Sequence, residues 1–158
     1  MMESLVKILL FIHVSAGVLG ILLGPVAMFA RKSQGTHTRA GVIYHWLVFT
    51  VCVSAIPISI LHWQKSWFLF LVALFSYSFA LKGYRAARDR GEGWLKKHIS
   101  GMLGSYIAMV TALVVVNAQN IPGLNQLPVI VAWLLPTVIG APLIARVVRK
   151  WVPVKKSG

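Results

Sequence analysis

Residues 5–39 read LVKILLFIHVSAGVLGILLGPVAMFARKSQGTHTR. From Leu5 to Ala30 the run is apolar or small, apart from Lys7 near its start and His13, and it stops at Arg31-Lys32. It exceeds the roughly 20 residues a helix needs to cross a hydrocarbon core about 30 Å thick. It is also too long for a removable signal peptide, and Met1–Ser4 makes a poor basic leader for one, so it is expected to stay as a first span.

Four further stretches repeat the pattern: about Ala40–Leu61, Trp67–Tyr84, Leu95–Val116 and Leu127–Val148. Lipid offers no water to bare peptide groups, so each must be helical. The expected fold is an all-α, polytopic membrane bundle of five transmembrane helices, in one domain over residues 1–158. A hydrophobic fraction of 58% and a mean hydropathy of +0.76 agree. The net charge of +13 would suggest nucleic acid in a soluble protein; here it reports topology.

Apart from Lys7 and Lys65, the cations fall in Arg31/Lys32/Arg39, in Lys82 to Lys97 and in Arg146 to Lys156. Only Lys65 lies between the second and third spans, and Asn117–Gln126 carries no charge. Basic connections stay in the cytoplasm, so the N-terminus is expected outside and the C-terminus inside. The basic connections should also meet anionic lipid headgroups. Trp63, Trp67, Trp94 and Trp151 mark span ends, where indoles anchor at the interface. Pro25, Pro57, Pro136 and Pro142 fall within spans and should kink them, the fifth most strongly.

The acidic residues are Glu3, Asp89 and Glu92, all outside the apolar runs. Ion-coupled transport normally places carboxylates at membrane depth, so a pump or antiporter ranks low. The single cysteine, Cys52, excludes an intramolecular disulfide and any CxxC motif. No HExxH, GxSxG, P-loop or GxGxxG is present, and no catalytic residue is assigned.

Small residues mark the faces that meet. His13, Gly17, Gly20 and Gly24 share one stripe of the first span. The fourth span carries His98, Gly101, Ser105, Ala108 and Ala112; the third, Ser76, Ala80 and Gly83; the second, Gly41, His45 and Cys52. Such stripes let backbones approach in lipid, within one chain or, for Gly17/Gly20/Gly24, in a homodimer.

The histidines are the chemistry. His45 lies about 7 Å into its span from the cytoplasmic side, and His98 a few residues in from the same side. On facing helices the two could ligate a haem b axially or join a shared metal site. His37, placed just before the second span, is close enough for a third ligand, and Arg39, Lys96 and Lys97 for haem propionates. His13 enters from the other side to about 12 Å, so it shares an ion with His98 only if the helices are displaced along each other, and a second site with His62 is the alternative.

HVSAGVLGILLGPVAMFARKSQGTHTRAGVIYHW and GYRAARDRGEGWLKKHISGMLGSYIAM resemble a bacterial family of predicted membrane proteins, domain of unknown function 2306. The matching positions are His13, Gly24-Pro25, Arg31-Lys32, His37/Arg39, Gly41-x-x-Tyr44, His98 and Ser105-Tyr106. The resemblance implies a multi-pass protein of a bacterial cell membrane. His45 is not carried over by it, and the family's His-Arg dipeptide is here His37-Thr38-Arg39.

Three functions stay open. The first is a haem-binding, b-type-cytochrome-like electron carrier. The second is a divalent metal ion held by His13, His37 and His98. The third is a cofactor-free scaffold or assembly factor whose histidines bond across helices.

Overall fold

The computed structural model describes residues 2–32 and 35–152. Lys155 and Lys156 of the third basic cluster lie outside them. The chain forms five long helices: α1 (Met2–Phe29), α2 (Thr36–Leu61), α3 (Trp63–Asp89), α4 (Trp94–Asn117) and α5 (Val129–Trp151). Two 3-10 turns, Ala118–Asn120 and Leu124–Gln126, join α4 to α5, and no strand occurs among the described residues. All five helices are long and apolar enough to cross a membrane.

Side-chain size is sorted the wrong way round for water. Most buried positions are small, Ala16, Ala40, Cys52, Ala73, Ser76, Ala80 and Ser105 among them, with Tyr44, His45, Val48 and Met109 the larger ones. Phe11 is 74% exposed and Phe29 88% exposed, whereas Ala80 and Ser105 are 0% exposed. Lipid tails solvate large apolar groups as well as a core does, so helices there adhere through close backbone approach and polar contacts.

The helices outrun the apolar spans. α3 has 27 residues, about 40 Å, where hydropathy marked only Trp67–Tyr84. Its last turns hold Arg85, Ala86, Ala87 and Arg88, good helix formers that continue the rod past the hydrocarbon. α2 likewise begins at Thr36, so His37 and Arg39 lie in its first turn and not before it.

The connections are short. His62 alone separates α2 from α3; its N–H bonds Ile58 O, and its own carbonyl accepts from Lys65 and Ser66 N–H. α3 passes to α4 through Arg90 and Gly93, both with positive φ (49° and 65°), which folds the chain back in four residues. Pro128 precedes α5, whose two internal prolines leave one continuous helix.

The chain divides into two compact units, Met1–Ser78 and Phe79–Gly158, with α3 contributing to both. In the first, α1 packs antiparallel on α2: Gly17 faces Val51 at one level, and Ala27 meets His37 at another. In the second, α3 and α4 touch backbone to backbone at Gly83 and Gly101. A methyl carbon on Gly83 would fall 2.7 Å from the Met102 nitrogen, and one on Gly101 2.6 Å from the Gly83 nitrogen.

Candidate functional site

Three histidines are anchored in the same manner. His13 Nδ1 lies 3.0 Å from Val51 O and 3.2 Å from Ser54 Oγ, joining α1 to α2. His37 Nδ1 lies 2.7 Å from Ala27 O, joining α2 back to α1. His98 Nδ1 lies 2.9 Å from Gly83 O, joining α4 to α3. A carbonyl oxygen only accepts, so Nδ1 must carry the proton in each. The neutral ring then keeps its lone pair on Nε2. Hydrogen bonding through the far ring nitrogen is the usual outer support of a metal-ligating histidine.

Helix ends explain why His37 sits where it does. The last carbonyls of an α-helix have no N–H four residues on. At the end of α1, Ala27 O takes His37 Nδ1 at 2.7 Å and Lys32 Nζ at 3.3 Å, and Met28 O also takes Lys32 Nζ. Partial burial pushes the Lys32 ammonium below the ordinary lysine range. The basic turn therefore caps α1 as well as marking topology.

His45 is 4% exposed and packs in the first unit against the Tyr77 ring of α3 (centroids 6.0 Å apart) and Trp46 (5.7 Å). Nearby, the Cys52 thiol is within hydrogen-bonding reach of Ser76 and the Tyr77 backbone. Gly41, expected on the same packed face, has nothing within 4 Å of the position a methyl carbon would take. The packed face of α2 runs instead through Ala40, Tyr44, His45 and Val48, and Gly41 lies beside it. Arg39 is exposed. His62 Nδ1 bonds its own helix at Ile58 O, 3.1 Å away, and is exposed. Trp94 stacks beside His98 at 6.5 Å and under the Arg90 guanidinium at 5.5 Å.

His13 and His37 do not share a site. Their partners on the antiparallel pair put them at the levels of residues 13 and 27 of α1, about 21 Å apart along its axis. An ion about 2 Å from each nitrogen cannot reach both. Among the described residues no three His, Cys, Asp or Glu side chains are grouped to hold a metal ion. His45 belongs to the first unit and His98 to the second.

The Gly17/Gly20/Gly24 stripe is used inside the chain: Gly20 and Gly24 are buried, and Gly17 faces Val51 at 3.9 Å. Sequence reasoning did not single out Ser54, the hydroxyl beside His13, which also donates to Thr50 O at 2.7 Å. Its signal was a serine inside an apolar run, a group that must find an acceptor locally or across a helix seam.

No curated protein and no solved structure matches the chain. A family model does, over residues 10–145, which hold His13, His37, His45 and His98 and parts of all five helices. With the inside-out burial and five membrane-length helices already in place, this match shows that the chain belongs to the predicted membrane protein family DUF2306.

Proposed function

We propose that this protein binds haem within the membrane in a b-type-cytochrome-like, electron-handling role. The observation that carries the reading is the shared tautomer: His13 and His98 each hold Nδ1–H on a main-chain carbonyl, which puts the ring's lone pair on Nε2. A neutral Nε2 fixed in direction is what haem iron takes from a protein. Bound haem would supply one-electron chemistry; the chain would supply oriented nitrogens, a water-poor seam and a rigid frame. His13 and His45 in the first unit and His98 in the second are the candidate ligands, each judged alone. The N-terminus is placed outside and the C-terminus in the cytoplasm on the charge distribution.

The test is a reduced-minus-oxidised absorbance spectrum of protein purified from haem-supplied cells. A Soret band with sharpened visible bands on reduction is expected, and His98→Ala should abolish or shift it. Absence of a Soret band in wild-type protein rejects the reading.

A second reading has its own support. The same three bonds cross helix pairs, as latches in a cofactor-free scaffold would. It expects histidine variants to lose stability while spectrum and elemental analysis stay blank.

A further inference from the structure

A groove of about 300 Å³ runs along the α1–α2 seam of the first unit, lined by Leu19, Leu22, Leu23, Ile43 and Leu47. It is wholly apolar at its walls and opens to the side. On α2, Ile43 and Leu47 belong to a stripe that begins with Arg39, because residues four apart share a helix face. Arg39 therefore stands one turn beyond the groove, about 6 Å along the axis, on the side of the basic turn. That turn adds Arg31, also exposed, while Lys32 is committed to the α1 carbonyls.

We infer that this seam holds one anionic phospholipid, an acyl chain in the groove and the headgroup phosphate on Arg39 and Arg31. Two separate features point to the same occupant. The trough is walled by five aliphatic side chains, as a hydrocarbon chain requires, and offers next to nothing to a polar group. Arg39, one turn beyond the groove on the same stripe of α2, is within reach of the phosphate of a chain so placed, and guanidinium binds phosphate in bidentate fashion. A zwitterionic lipid would satisfy the groove and offer the same phosphate, but its headgroup cation would oppose the two arginines, whereas an anionic lipid brings net negative charge to them. This assigns Arg39 to a lipid phosphate in place of a haem propionate, and it is independent of whether haem binds.

The experiment uses the full chain in mild detergent, given equal amounts of phosphatidylglycerol and phosphatidylcholine, with retained lipid read by native mass spectrometry. Phosphatidylglycerol should be retained preferentially. Arg39→Gln should weaken its retention about fivefold, the worth of one basic side chain at a membrane surface. Ile43→Trp, which fills the trough, should reduce retention of either lipid. Lys150→Gln, a basic residue at the end of α5, should change nothing. Soluble glycerol 3-phosphate should not displace the bound lipid. Equal retention of both lipids, equal losses in Arg39→Gln and Lys150→Gln, or displacement by glycerol 3-phosphate would each overturn the assignment. Arg39 is exposed, so its variant remains decisive even if Ile43→Trp perturbs the helix pair.

Discussion

A histidine in a helix seam carries two separable properties here, a bond made through Nδ1 and a lone pair kept on Nε2. The bond is a stability term of known size. Hydrogen bonds between membrane helices average about 0.6 kcal/mol and reach about 1.7 kcal/mol. His13→Leu, which keeps bulk and removes the donor, should lower stability by about that much, measured as thermal unfolding in detergent. His37→Ala should act differently. It uncaps Ala27 O, already partly served by Lys32, so the loss should deepen when combined with Lys32→Gln. A double-mutant cycle with additive effects would contradict this shared cap. The imidazoles were legible in sequence because an ionisable group in an apolar run stands out. Their acceptors were not, since Val51 O, Ala27 O and Gly83 O are backbone atoms present at every position.

For the helices, glycines that look alike in sequence separate sharply in space. Gly83 and Gly101 sit where α3 and α4 meet, with backbone atoms filling the place of any methyl. Backbone cannot rotate away as a side chain can, so Gly83→Ala or Gly101→Ala must push the helices apart. Each should destabilise by about 1–3 kcal/mol or more and strain the His98–Gly83 bond. Gly41→Ala meets open space inside α2 and should stabilise by about 0.5–1 kcal/mol through helix propensity alone. Thermal unfolding of the three variants side by side checks the ordering. The burial of Ser76, Ala80 and Gly83 followed from the expected small-residue pattern on α3, and Ala73 extends the stripe by one turn. On α4 the line bends after Ser105 to Met109 and Thr111 instead of Ala108 and Ala112. Spacing alone allows either choice, and the neighbouring helices select one.

At the scale of the whole molecule, charge asymmetry argues for one orientation. Lys65 lies at the α2–α3 connection and Arg88 at the end of α3, opposite ends of one rod. Native Cys52 is buried and should be silent to thiol reagents. Lys65→Cys is expected to react with an impermeant maleimide from outside intact cells, and Arg88→Cys only after lysis. The reverse pattern would invert the topology.

Five helices, their order and all but a few residues of their ends were written in the sequence, because lipid leaves an apolar run of this length no other backbone conformation. The ends moved outward where hydropathy stops but helix propensity continues, at Thr36–Arg39, Trp63–Ser66 and Arg85–Asp89. Tertiary structure alone decided which carbonyl each imidazole meets, and that His13 and His37 hold one helix pair at two separate levels, the middle and one end. The physical reason is that a stripe of small residues says a helix face will be covered, whereas the level at which two helices settle depends on both partners at once.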